Sequence, residues 1–314
     1  MQALYMSNGK LSLKKIAVPQ PKPHHSLVKI QLAGICSTDI HLLHGYKKFS
    51  GIPGHEFVGV VAESDDHSLV GKRVVAAINI VCQNCDMCLR QMTSHCRKRR
   101  VLGILNCDGV HAQYAVIPNE NLYVVPQHIC NEQAVFIEPL AAACRILRQV
   151  EISSESRIAI VGDGKLGFMI ATVLSAKKFA LQVLGKYTEK LKIFRDLGIA
   201  ICEGERDFDV VVECTGSKSG ITTALQMLRP QGTLILKSTY ADMAEICLSD
   251  VVVNEIRIIG SRCGSFADAF QFIDEYNSDF SPVIEKIYPL TEGTKAYEAA
   301  STRGAKKILL DCTS

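Results

Sequence analysis

Up to about residue 125 the apolar positions come in short runs, at 26–32, 56–62 and 72–80, rich in Val, Ile and Ala. Gly, Pro and an Asp-Asp pair separate them. Runs of this length and punctuation predict short strands in a β-rich region. Past residue 139 the pattern changes. Strand-length apolar runs at 157–161, 181–184, 209–213 and 233–237 alternate with helix-like stretches at 166–175, 189–197 and 220–228. That alternation predicts parallel βαβ units with helices on both faces of the sheet. A helix at 291–301 and a strand at 307–310 close the pattern. No internal repeat or long linker interrupts it, so the chain reads as a compact α/β protein of two domains.

Composition narrows the function classes. The longest apolar stretch, 166–176, stops at Lys177-Lys178, well short of the ~18–20 residues that span a bilayer. No basic segment followed by an apolar core opens the sequence, so the expectation is a cytoplasmic protein with no membrane partner. Lys and Arg number 35 against 32 Asp and Glu, a net charge of +3. That is too balanced to argue for nucleic acid. The basic run Arg97-Lys98-Arg99-Arg100 reads as solvated surface. Thirteen cysteines, an odd number in a reducing compartment, point to metal binding before disulfides.

Gly162-Asp163-Gly164-Lys165-Leu166-Gly167 fits the G-x-G-x-x-G turn, with a predicted strand before it and a helix after it. In that context Gly162 permits the tight turn and Gly164 lets a pyrophosphate approach the backbone. Gly167 lets helix and strand pack closely, with the phosphates at the helix N-terminus. Where the second strand ends, an Asp or Glu would bind the ribose 2′-hydroxyl of NAD. Here that slot holds Gly185, followed by Lys186 and Tyr187. A small residue next to a cation suits a 2′-phosphate, and Tyr187 could stack on adenine. The expectation is therefore NADP(H) in preference to NAD(H).

Cys82, Cys85, Cys88 and Cys96 lie within 15 residues. Four thiolates at this spacing can close a tetrahedral zinc site with no open position, so the site should be structural.

These motifs, with others between them, resemble the zinc-dependent medium-chain dehydrogenases/reductases, the alcohol dehydrogenase-like superfamily. Gly34-Ile35-Cys36-Ser37-Thr38-Asp39 is similar to the family's catalytic-cysteine segment, and Gly54-His55-Glu56 to its G-H-E motif. Gly71-Lys72-Arg73-Val74 resembles its G-D-R-V, and residues 108–114 its D-G-x-x-A-x-Y. Glu138-Pro139-Leu140-Ala141 matches the E-P-L-A of its polyol and threonine branches. The likeness covers nearly the whole chain, in order.

The resemblance implies a GroES-like catalytic domain over 1–138, a Rossmann domain over 139–277, and a return of 278–314 to the catalytic domain. It implies two zinc ions, one structural and one catalytic. Cys36 and His55 would hold the catalytic ion, with Glu138 or Glu56 as the carboxylate. Thr38 and His41 would pass out the proton released when an alcohol gives its hydride to the nicotinamide. Gly162, Gly164, Lys165, Leu166, Gly167, Gly185, Lys186, Tyr187, Thr215 and Ser238 would bind the cofactor. The substrate would be a small alcohol or carbonyl compound, and the assembly a homodimer or homotetramer. The chain departs from the family by being short before Gly71 and between residues 198 and 207. Two other readings stay open: a non-catalytic binder of NADPH and zinc, and a zinc-independent enone or quinone reductase.

Overall fold

The structure, a computed structural model, describes residues 1–239 and 243–314. The chain divides into two compact units. One comprises residues 1–138 and 279–314, the other residues 139–278. Among the described residues, no helix is long and apolar enough to cross a membrane.

The first unit is built on a sheet centred on the strand His25–Gly34. That strand pairs antiparallel with Glu56–Ser64, Tyr114–Pro118 and Lys307–Asp311. It is buried along most of its length, with Lys29 pointing out. A strand with neighbours on both edges and cover on both faces needs such a nearly continuous apolar run. The expected strand at 72–80 forms as two pieces, Arg73–Ala76 and Asn79–Ile80, in different sheets. Lys307–Asp311 brings a segment near the end of the chain against residues 32–34. Segments far apart in sequence thus pair in one sheet.

The second unit is a parallel sheet, six-stranded among the described residues. Its order is Ala200–Ile201, Leu181–Leu184, Ile158–Val161, Phe208–Glu213, Leu228–Leu236, Arg257–Gly260. This is the doubly wound 3-2-1-4-5-6 order. Ile158–Val161 is buried at every position, as the all-apolar run requires. The edge strand Ala200–Ile201 has only two residues, where the sequence is short. Lys165–Ala176 follows the central strand and buries Phe168, Ile170, Val173 and Leu174 among others.

Two glycines set close approaches near the functional residues. A Cβ on Gly167 would lie 2.1 Å from the carbonyl oxygen of Gly162, so the turn closes only with hydrogen there. Gly54 has φ +97°, and a Cβ on it would lie 2.3 Å from the imidazole of His111. His111 is itself fully buried. Its Nδ1 is 2.8 Å from the Tyr297 hydroxyl, and its Nε2 is 3.3 Å from the Gly34 carbonyl. Gly54→Ala should therefore cost both left-handed backbone strain and overpacking, together about 2–5 kcal/mol. Denaturant unfolding measures it; a loss under about 1 kcal/mol would contradict the packing described.

Candidate functional site

Cys36, two residues past the strand His25–Gly34, caps the helix Ser37–Leu43 in extended conformation. Asp39, three residues on, accepts a hydrogen bond from the Cys36 amide at 2.8 Å. This satisfies one of the helix's orphan donors and fixes where the thiol emerges. The other carboxylate oxygen of Asp39 accepts from the Gly54 amide at 3.2 Å and lies 3.5 Å from Nδ1 of His55. Asp39 is fully buried. A carboxylate behind one imidazole nitrogen orients the ring and leaves the other nitrogen to face a metal.

Sγ of Cys36, an imidazole nitrogen of His55 and a carboxylate oxygen of Glu56 lie within 4.8 Å of one another. Thiolate, imidazole and carboxylate are the ligand types of a catalytic zinc with one exchangeable position. Burial pushes the Cys36 thiol up, but the hydrogen bond to His55, that ring's charge and Lys307 bring it down to about 6. Burial likewise opposes the charge on Asp39, yet His55 holds its carboxyl down at about 2. A charged His55 thus favours the thiolate, the form that ligates, and that ring must release its own proton to ligate beside it.

Glu56 is buried and paired with the buried Lys307 ammonium. Lys307 reaches it from 251 residues away in sequence. Burial lowers the Lys307 pKa to about 8 against the pull of Cys36 and Asp39. Glu138 is half-buried in the first turn of Ile137–Gln149 and is not among the three mutually close ligand groups. Thr38 is brought to the trio: the Cys36 thiol lies 3.7 Å from its hydroxyl. His41, half-buried, sits one helical turn after Thr38, on the same face. Burial and then the charge of His44 lower its pKa.

The four cysteines of the quartet come together in a lobe of short helical turns. Cys85 and Cys88 sulfurs are 3.5 Å apart, Cys96 and Cys82 3.5 Å, Cys85 and Cys96 4.0 Å. A tetrahedron with metal–sulfur bonds of ~2.3 Å has edges near 3.8 Å, whereas a disulfide needs ~2.05 Å. The spacing fits a metal and excludes a disulfide. The amides of Cys82 and Arg97 point at sulfurs of Cys96 and Cys85. Arg97 also grips Asp86 with two hydrogen bonds, at 3.1 and 2.9 Å. The basic run thus braces the lobe at its first residue.

In the second unit the cofactor candidates gather at the carboxyl ends of four neighbouring strands, where ligands bind in sheets of this order. Gly162 leaves the central strand with φ +133°. Gly164 is the N-cap of Lys165–Ala176, carries no side-chain cap, and has open space where a Cβ would point. That is a cradle suited to phosphate oxygens. Lys165 and Leu166 form the first turn of that helix. Thr215 follows the next strand and donates to the fully buried Glu213 at 2.6 Å. Ser238, after Leu228–Leu236, accepts from the Gly216 amide at 2.8 Å. Tyr240, two residues past Ser238, lies outside the described residues.

One expectation is corrected here. Gly185 is expected to leave room for a phosphate, but a Cβ there would lie 2.6 Å from the Asp163 side chain and 2.8 Å from that of Leu191. The glycine is needed because another residue already fills its slot. Tyr187 is the N-cap of Thr188–Asp196, with the Lys190 ammonium 4.9 Å from its ring centre.

Sequence reasoning missed Asp39, Lys307, Glu213 and Asp163. Asp39 had a local signal: an acid three residues after a helix N-cap. Lys307 had none.

Asp39→Asn should weaken metal binding at the trio by about 10–100-fold while sparing the quartet. Competition with a chelator of known affinity reads this; unchanged affinity would remove Asp39 from the site. Cys85→Ser should open the quartet and lower the melting temperature by about 5–10 °C, because binding energy there is folding energy. An unchanged melting temperature would show that the lobe carries no structural metal.

Family models match in two places: "Alcohol dehydrogenase GroES-like domain" over residues 22–127 and "Zinc-binding dehydrogenase" over residues 168–278. Erythritol/L-threitol dehydrogenase of Mycolicibacterium smegmatis is 28% identical, covering 95% of this chain and 93% of the relative. Sorbitol dehydrogenase of Halalkalibacterium halodurans is 26% identical, covering 96% of each. Among solved structures, a zinc-binding dehydrogenase from Sinorhizobium meliloti bound to NADP superposes with a TM-score of 0.88 at 26% identity, covering 99% and 98% of the two chains. With its GroES-like and Rossmann-type units, this chain belongs to the zinc-type medium-chain dehydrogenase/reductase superfamily and is an alcohol dehydrogenase-like oxidoreductase.

Proposed function

We propose that this enzyme oxidises a small polyol to the corresponding carbonyl compound, with catalytic zinc at Cys36, His55 and a carboxylate, structural zinc at the cysteine quartet, and a nicotinamide cofactor on the glycine turn. The observation that carries the reading is the trio itself: three unlike ligand atoms within 4.8 Å, with Asp39 behind His55. Its donor types suit zinc, and it leaves a coordination position for substrate. Named relatives acting on erythritol, sorbitol and arabinitol favour the polyol class.

Bound there, zinc would supply Lewis acidity toward the substrate oxygen, and the nicotinamide would take the hydride. The chain's own residues do the rest. Cys36 and His55 anchor the metal. Glu56 is the carboxylate nearest to hand, its charge offset by Lys307; Glu138 is the alternative. Thr38, beside Cys36, receives the alcohol proton, and His41 one turn later hands it on toward solvent. The pKa of His41, lowered by burial, keeps the ring neutral and able to accept that proton at neutral pH.

Lys186 supports NADP(H) as the cofactor, while the filled space at Gly185 withdraws the other support for it. The quartet and trio both argue against a zinc-independent reductase. The open ligand set argues against a binder without chemistry. A homodimer or homotetramer remains part of the proposal, from the family resemblance.

The test is nicotinamide absorbance with four- to six-carbon polyols and their ketoses, under NAD⁺ and NADP⁺. Turnover with at least one polyol is expected. Cys36→Ser should reduce kcat/KM by about a thousandfold or more, the several kcal/mol that a Lewis-acid metal supplies. Turnover within tenfold of wild type would contradict the metal mechanism.

A further inference from the structure

Dinucleotide-binding sheets of this order place an acid at the end of the second strand, where it accepts the ribose 2′-hydroxyl. Here that position is Gly185, and a strand-end carboxylate is missing. The structure supplies one from elsewhere. Asp163, second residue of the glycine turn, extends across to the end of Leu181–Leu184. Its Oδ2 accepts from the amides of Lys186 and Tyr187, at 2.7 and 2.8 Å. A Cβ on residue 185 would meet both Cβ and Oδ2 of Asp163 at 2.6 Å. The Asp163 side chain therefore occupies the volume that a strand-end side chain would use. Its Oδ1 has no hydrogen-bond partner among the described residues.

We infer that Asp163 sets the cofactor choice, accepting the adenosine ribose 2′-hydroxyl through Oδ1 and repelling a 2′-phosphate, so that NAD(H) binds in preference to NADP(H). The inference rests on the nicotinamide reading of the Rossmann unit. Lys186 does not reverse it. What Lys186 gives to Asp163 is its backbone amide, and its side chain is exposed. An exposed, flexible ammonium is a weak, salt-screened attractor. The Asp163 carboxylate is half-buried and held by two amides, so its charge is fixed in place. The glycine at 185 fits the same logic. Gly185 is small because Asp163 needs the space, and the usual acid at the strand end has been exchanged for one in the turn.

Dissociation constants of NADH and NADPH, measured by nucleotide fluorescence on the full-length protein without substrate, test this. Wild type should bind NADH about tenfold or more tightly than NADPH, the value of one charge-assisted hydrogen bond. Asp163→Asn keeps an oxygen for the two amides and removes the charge. It should weaken NADH, tighten NADPH, and shrink the ratio of the two constants about tenfold or more. Lys186→Ala should change that ratio less than about twofold. Wild type binding NADPH at least as tightly as NADH would overturn the inference. So would a ratio unchanged in Asp163→Asn, or moved further by Lys186→Ala than by Asp163→Asn. If Asp163→Asn loses its melting transition, the wild-type ratio and the Lys186→Ala ratio decide alone. Failure of wild type to bind either nucleotide would overturn the nicotinamide reading together with the inference; binding with an indifferent ratio would overturn the inference only.

Discussion

The buried carboxylate of Asp39 ties together the two pieces of chain that carry the proposed metal ligands. One oxygen holds the amide of Cys36, where the helix Ser37–Leu43 begins. The other holds the amide of Gly54 and faces His55. Burying a carboxylate is costly unless every lone pair finds a donor. Here the donors come from the two segments that carry the ligands. The cost of burial thereby becomes a constraint: thiol and imidazole are held to one anionic centre, and neither can drift without exposing it.

The same logic extends outward. Gly54 can donate to Asp39 only because it adopts φ +97° and lacks a Cβ. The space so released is filled by His111, which hydrogen-bonds Tyr297 from the chain's closing helix. Glu56 beside the ligands would be an uncompensated buried charge without Lys307. Removing one partner of such a pair typically costs ~3–5 kcal/mol, more than the pair itself contributes. The strand Lys307–Asp311 therefore does more than complete a sheet; it delivers the cation that lets a second carboxylate sit beside the thiol.

Much of this was legible in the sequence because the signals are local. The glycine turn, the quartet and the Gly-His-Glu segment each fit within 15 residues, and their spacing carries the chemistry. The alternation of strand and helix past residue 139 gave the doubly wound sheet for the same reason. What was not legible depends on contacts between distant segments. Lys307 and Glu56 are 251 residues apart, and His111 and Tyr297 are 186 apart. Asp163 occupies a variable position of its motif, and only the folded turn brings it over Gly185. Read without that contact, Gly185 looks like an empty slot; with it, the slot is already taken. The split of residues 72–80 into two strands had no clear sequence signal either, since no Gly or Pro interrupts the run.

The central claim is that one chain holds an open mixed-ligand metal site and a closed all-cysteine site. X-ray absorption at the zinc edge on the purified protein addresses both together. The account predicts two zinc ions per chain in equal amounts, one bound by four sulfurs and the other by one sulfur with nitrogen and oxygen. A single zinc bound by four sulfurs, with no mixed site even at saturating metal, would contradict it.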